Sequence, residues 1–382
     1  MFLITSPLTS KFLRQCLQIL VFFTLLAACG SQKEKPSYGL KKASLTISNP
    51  SLAKLHSTLS QKPSVSGSLA IDGKTYQVLV SHSGKSTLFH PKRNFHIELQ
   101  NGDLYRGLSA FRLSSQSSDP SGLRSMLGLL AFKNAQVESP AVEPVSLYLN
   151  DKFLGLYFYL ELVDEKWLRN KGFRPLSIYK ARYGRLDYAN FDEETTNHLK
   201  QGFANKSSHD SYEDLKRLIR NLNDGQKAPE ALVDKENYLN YMATAVTLNH
   251  WDGFDNNFFF FKDAKKELFY IVPWDLDKIL PQSGYDYKPS GYLGENALTQ
   301  HFLASAAAKK EHKERILNLL AGPLSTQTLE AQIDAFAVTI NNAYQMDPYL
   351  NPNGEGMAPA ILKLKESLRR RAAALKSDLL KP

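Results

Sequence analysis

The sequence predicts an α+β protein, strand-rich in its first half and mainly helical in its second. Three observations carry this expectation. Between about residues 64 and 160, short runs of alternating apolar and polar residues are bounded by turn residues. After residue 208, apolar residues recur at helical spacing. One apolar hairpin, Phe258–Phe261 and Leu268–Val272 around the charged stretch Asp263–Glu267, interrupts the helices. The 382 residues suffice for one large domain or two modest ones, and 18 Tyr with 21 Phe supply a sizeable aromatic core. The net charge of +9 favours anionic partners without choosing among nucleotides, phosphorylated polymers and membrane surfaces.

Taken in order, the chain first shows Lys11 and Arg14 before an apolar run from Cys16 to Ala28. That run has the length of a signal-peptide core and is short for a membrane span. It ends in Leu26-Ala27-Ala28-Cys29-Gly30, which resembles the bacterial lipobox and implies lipidation of Cys29 after removal of residues 1–28. Cys16 leaves with the leader, so no intramolecular disulfide is expected. Residues 29–44 then read as the lipidated cysteine and a polar tether. The implied location is the bacterial cell envelope, periplasm or outer surface, with the membrane reached through the N-terminal lipid.

The strand-rich part is expected over 45–165. Ser68–Ile71 and Tyr76–Val80 flank Asp72-Gly73 as a β-hairpin. A turn follows at Ser83-Gly84-Lys85-Ser86, and then Lys92–Leu99 alternates as a strand. Leu123, Met126, Leu127, Leu130 and Phe132 give residues 121–134 a helical apolar face. Val145–Leu149 and Leu154–Leu160 are strands joined by Asn150-Asp151-Lys152, with a short helix at Glu165–Asn170. The remainder, 166–382, reads as helices at roughly 211–223, 234–249, 296–320, 326–345 and 358–380 around the hairpin.

The chemistry concentrates at the open end of that hairpin. His250-Trp251-Asp252-Gly253-Phe254-Asp255-Asn256-Asn257 precedes its first strand, and Pro273-Trp274-Asp275-Leu276-Asp277 follows its second. A hairpin returns the chain to where it left, so Asp252, Asn257 and Asp275 converge. Carboxylates and a carboxamide together form a hard-oxygen site suited to Mg²⁺ or Mn²⁺. His250, Asp252 and Asn257 also match H-x-D-x-x-x-x-N, the protein-kinase catalytic loop, in which the Asp accepts the substrate hydroxyl proton and the Asn holds a metal. Asp275 stands where D-F-G places its metal aspartate. Asp277 either joins the metal site or faces Lys278.

On these residues the chain resembles the CotH (spore coat protein H) kinase-like family. The further marks are His90-Pro91-Lys92-Arg93-Asn94-Phe95, Leu149–Tyr157, Leu160–Asp164 and Ile178-Tyr179-Lys180, and the resemblance runs from about Lys92 to Lys278. It implies an atypical protein-kinase-like fold, with a strand-rich N-terminal lobe and a mainly helical C-terminal lobe, that transfers the ATP γ-phosphate to Ser or Thr with divalent metal. By that resemblance Asp252 is catalytic, Asp275 is the metal aspartate and Asn257 a second metal ligand. Lys92, or its strand neighbour Arg93, takes the place of the phosphate-binding lysine. Residues 159–163, with Glu161, form the hinge against adenine. Lys180 reaches the nucleotide, and Arg124 pairs with a phosphate or a carboxylate. The expected partners are a nucleotide and a surface-protein or glycan acceptor, with no nucleic acid. A catalytically silent envelope scaffold of the same fold is the alternative.

Family members often carry Arg-Gly before the serine of the early turn. Here the residues are Ser83-Gly84-Lys85-Ser86, so Lys85 supplies that charge from a shifted position or nucleotide affinity is reduced. Other motifs fail. A P-loop ending at Gly84-Lys85-Ser86 requires a glycine where Leu79 stands. No ligands at zinc-site spacing accompany His82, His90 and His96. Trp251 and Trp274 read as core packing, and Arg369-Arg370-Arg371 as a solvated helix face.

Overall fold

The alternating pattern of the first half closes on itself. In this computed structural model, which describes residues 35–183, 189–281 and 296–381, seven strands form a closed barrel. They are β1 (Lys41–Thr46), β2 (Val65–Ile71), β3 (Lys74–Ser83), β4 (Asn94–Leu99), β5 (Ala110–Ser114), β6 (Val142–Leu149) and β7 (Lys152–Glu161). Their order is β1-β2-β3-β4-β5-β7-β6, and β6 returns parallel to β1 to seal the barrel. Closure leaves no row of unpaired backbone groups at an edge. The interior is filled by the apolar alternates, among them Val78, Val80, Ile97, Phe111, Leu113, Leu147, Tyr157 and Tyr159. The β2–β3 hairpin turns on Asp72 and Gly73, both with positive φ (49° and 76°), the pair that a two-residue type I′ turn requires.

Helix α1 (Asn49–Ser57) lies between β1 and β2, and α2 (Arg124–Asn134) between β5 and β6. Leu127, Leu129, Ala131 and Phe132 of α2 are all buried, so this helix is enclosed rather than amphipathic. Its start is capped from a distance: Asp119 Oδ2 accepts from the Arg124 amide at 2.8 Å.

A second sheet, ordered β11-β10-β8-β9, comprises β8 (Pro175–Ala181), β9 (Phe203–Asn205), β10 (Phe258–Asp263) and β11 (Phe269–Pro273). The hairpin β10–β11 was expected; β8 and β9 add two strands within the stretch read as helical. Strand β10 is central, which explains the unbroken run Phe258–Phe261. Phe258 and Phe260 pack on Phe191 on one face, while Phe259 meets Trp274 and Phe261 meets Phe173.

The helices that follow β7 are α3 (Glu165–Asn170), α4 (Thr196–Gly202), α5 (Glu213–Asn223), α6 (Lys235–Thr247), α7 (Ala297–Phe302), α8 (Ala306–Ala321), α9 (Thr326–Gln345) and α10 (Ala358–Leu379). The single helix expected over 296–320 is two. Asn296 caps the Thr299 amide at 2.7 Å and Ser305 caps the Ala308 amide at 3.0 Å, so each starts its own helix. Among the described residues no helix is long and apolar enough to cross a membrane. Residues 1–34, with Cys29 and the expected leader, lie outside the described residues.

Residues from Tyr38 onward form one unit, and a buried ion pair helps to join its two halves. Lys92 Nζ, just before β4, donates to Asp347 Oδ2, just after α9, and to the Leu156 carbonyl, both at 2.6 Å. Asp347 also accepts from the amides of Leu156, Tyr349 and Leu350 at 2.7–2.8 Å. Gly155 has φ +129°, and a Cβ there would collide with the Asp347 carboxylate. Burial pushes the Lys92 ammonium down to about 8, while Asp347 acts in the opposite sense. Lys92 is therefore a structural cation, correcting the expectation that it binds phosphate. Replacing Asp347 with Ala leaves that cation buried and unpaired, and is expected to cost about 3–5 kcal/mol in urea unfolding. A loss below about 1 kcal/mol would contradict the pair's role.

Candidate active site

Helix α6 delivers the first half of the site. It ends at Thr247 in a Schellman turn: the Asn249 amide bonds to the Val246 carbonyl at 3.1 Å, and the His250 amide to the Ala245 carbonyl at 2.8 Å. Asn249 takes the left-handed conformation, φ 49°. The chain then wraps around the Asp252 carbonyl, which accepts from the Asn256 and Asn257 amides at 3.1 and 2.9 Å. A Cβ on Gly253 would strike the His250 ring, and Tyr241 Oη donates to the Gly253 carbonyl at 2.5 Å. Within this turn Asn257 Nδ2 donates to Asp252 Oδ2 at 2.7 Å. The His250 ring lies behind both, with Nδ1 3.5 Å from Asp252 Oδ1.

Strand β11 delivers the second half. Phe258 pairs with Pro273, and one step beyond them the Trp274 amide donates to the Asn257 carbonyl at 3.1 Å. The two turns are thus tied side by side. Asp275 is exposed and has φ +58°, a region that costs a non-glycine residue energy and is found at functional sites. Asp277 is half-buried.

The segment after Asp275 is braced by α2. Arg124 Nε donates to the Ile279 carbonyl at 2.9 Å, and its guanidinium pairs with the buried Asp119 carboxylate. Gly128 faces Leu276, where an added Cβ would come within 2.8 Å of a side-chain carbon.

These turns floor a cleft of about 570 Å³. It is lined by Asp252, Asn257, Trp274, Asp275 and Asp277, and on other sides by Lys62, Gly84, Lys85, Arg112 and Lys180. Gly84, φ +112°, approaches Thr87 so closely that a Cβ would clash with its hydroxyl, and Lys62 Nζ donates to the Gly84 carbonyl at 2.7 Å. Burial raises the Asp252 carboxyl above the usual carboxylate range, opposed by His250 and reinforced by Asp275. Burial, then the Asp275 charge, pushes Asp277 up to about 8. Burial and the neighbouring Arg112 bring Lys180 down to about 8.

Among the described residues no three His, Cys, Asp or Glu side chains gather into a metal cluster. The cleft does present the Asp275 carboxylate and the Asn257 carboxamide, hard oxygen donors for an ion that keeps phosphate or water ligands, as Mg²⁺ does.

A family model described as CotH kinase protein matches residues 80–375. The chain belongs to the CotH kinase protein family. The inner spore coat protein H of Bacillus subtilis (strain 168) is 26% identical to it over 329 residues, which is 81% of this chain and 90% of that protein.

Of the site residues expected for a CotH chain, Asp252, Asn257, Asp275, Asp277 and Lys180 border one cleft. Four others do not. Lys92 is held by Asp347. Arg93 Nε donates to the Leu88 carbonyl at 3.0 Å. Arg124 pairs with a carboxylate, that of Asp119, and so braces the fold instead of holding a nucleotide. Glu161 accepts from Trp167 Nε1 at 2.7 Å and the Ala141 amide at 2.8 Å, which makes it a strand-end anchor. Leu160 is the part of the expected hinge that lines the cleft. Arg112 was missed. The sequence signal was a lone cation in the apolar run Ala110-Phe111-Arg112-Leu113, where Phe111 and Leu113 fill the barrel and Arg112 must face outward. Trp274 is buried as expected for core packing, yet it also borders the cleft.

Because Gly253 lets the His250 ring lie against the backbone, Gly253→Ala is expected to cost about 1–3 kcal/mol in urea unfolding. An unchanged midpoint would contradict this packing.

Proposed function

We propose that this CotH-family chain is an exported, lipid-anchored phosphotransferase of atypical kinase-like fold. It moves the γ-phosphate of ATP to Ser or Thr of surface proteins and uses Mg²⁺ or Mn²⁺. The observation that carries the proposal is the bond between the Trp274 amide and the Asn257 carbonyl, which sets Asp275 beside the Asp252–Asn257 pair in a cleft walled by cations. The envelope location rests on the lipobox-like ending at Cys29 and agrees with the spore-coat name of the Bacillus relative.

In this mechanism Asp252 accepts the proton of the acceptor hydroxyl as its oxygen bonds to the γ-phosphorus and the bond to the β-phosphate oxygen breaks, releasing ADP. Asn257 Nδ2 fixes Asp252 Oδ2 at 2.7 Å and so orients the carboxylate. Asn257 Oδ1 accepts from Asn256 Nδ2 at 2.9 Å and keeps a second lone pair for the metal. Asp275, with Asp277 next to it, would hold the ion from the other turn. When bound, the metal supplies positive charge against the phosphate oxygens. His250 shields the rear of Asp252 and excludes water from that side.

The test is transfer of labelled phosphate from ATP with Mn²⁺, coupled to calorimetry on the purified protein. Asp252→Asn is expected to lower kcat about 10²–10⁴-fold while ATP still binds. Asp275→Asn is expected to remove the metal dependence of ATP binding. A base must be deprotonated to act, and the Asp252 carboxyl is raised. Activity should therefore fall as pH drops, starting above the usual carboxylate pKa of about 4. Neither heat nor transfer from the wild-type protein would instead assign the chain to a silent scaffold.

A further inference from the structure

With Lys92 consumed by Asp347, the phosphate chain of a donor nucleotide needs another cation. Strand β5 supplies one. Phe111 and Leu113 point into the barrel, and Arg112 between them points out into the cleft. Its guanidinium carbon lies 5.1 Å from the centre of the Trp274 ring. Its Nε is buried and makes no hydrogen bond with the described residues. Lys180 arrives from β8, in the other sheet, and its ammonium stands 5.3 Å from the same ring. Two cations from two different sheets therefore converge on one indole, immediately before Asp275 in the chain.

Like charges drawn together out of water are costly unless an anion lies between or beside them. The carboxylates nearest to hand, Asp275 and Asp277, belong to the metal in the proposed function. A linear polyphosphate satisfies both demands, because its oxygens can bridge the metal on one side and the cations on the other. The planar guanidinium fork suits it better than a point charge does.

We propose that Arg112, assisted by Lys180, is the phosphate clamp of this site and holds the polyphosphate chain of the nucleotide over the Trp274 ring. The assignment rests on the phosphotransferase proposal for the identity of the anion and for giving Asp275 and Asp277 to the metal. It replaces a lysine before β4 with an arginine on β5, so the phosphate contact comes from the wall of the barrel instead of from its buried seam with the helices.

The experiment compares wild type, Arg112→Met and Arg112→Lys by calorimetry with two probes, inorganic tripolyphosphate with Mg²⁺ and ATP with Mn²⁺, follows ATP turnover with Mn²⁺, and records urea unfolding without ligand. Arg112→Met is expected to weaken both probes about 10–100-fold, with Arg112→Lys between it and wild type. The unliganded urea midpoint of Arg112→Met should equal or exceed that of wild type, because the Nε has no hydrogen-bond partner to lose, a methionine still packs on the Trp274 ring, and the crowding with Lys180 is relieved. Equal tripolyphosphate affinity in wild type and Arg112→Met overturns the clamp, and ATP turnover in both would leave the phosphotransferase proposal standing. A lowered midpoint without ligand overturns it as well, by making Arg112 structural. Tripolyphosphate binding that depends on Arg112, without ATP turnover, keeps the clamp and sinks the kinase. Binding of neither probe by wild type sinks both.

Discussion

The hydrogen bond from the Trp274 amide to the Asn257 carbonyl, 3.1 Å long, closes the open end of the β10–β11 hairpin. The arrangement of the candidate site depends on that closure. On one side of it lies a turn whose backbone is wound around the Asp252 carbonyl. On the other lies Asp275 in a left-handed conformation, which turns the chain out of the strand. Neither turn is self-sufficient. The first relies on the Schellman end of α6 and on Gly253 yielding to the His250 ring, the second on α2 gripping Ile279 through Arg124.

The same economy of charge explains where the cations went. Two buried ion pairs, Lys92 with Asp347 across 255 residues and Arg124 with Asp119 across five, do not line the cleft. Such pairs contribute little net stability but are costly to break, which makes them good clasps and poor ligands. The cations that line the cleft, among them Arg112, Lys180, Lys62 and Lys85, come from strands and turns around it. A site built this way keeps its scaffold intact whether or not an anion is bound.

How much of this was legible in the sequence follows from the range of each interaction. The β2–β3 and β10–β11 hairpins are local, and Asp72-Gly73 and the charged Asp263–Glu267 turn announce them. The convergence of Asp252 and Asn257, five residues apart, follows from spacing, whereas the hydrogen bond between their side chains does not. Closure of the barrel was not legible, because β1 pairs in parallel with β6 about a hundred residues later and no local signal marks that register. The fate of Lys92 was hidden for the same reason: its partner is 255 residues away, so a motif placed it at a phosphate that its side chain does not face. Glu161 was misplaced because a carboxylate at a strand end serves a nearby indole and amide as readily as a ligand. Arg112 was overlooked because strand β5 itself, five residues long, was not recognised. Once the strand is known, alternation alone turns the arginine outward.

In the proposed function the two tied turns share one divalent ion beside a bound triphosphate. Anomalous diffraction at the manganese edge, from crystals grown with Mn²⁺ and a non-hydrolysable ATP analogue, addresses it directly. A manganese peak bonded to Asp275 and Asn257 is expected, with the analogue's phosphates completing its shell. Manganese absent from both turns while the analogue is bound, or an analogue seated outside the cleft, would contradict it.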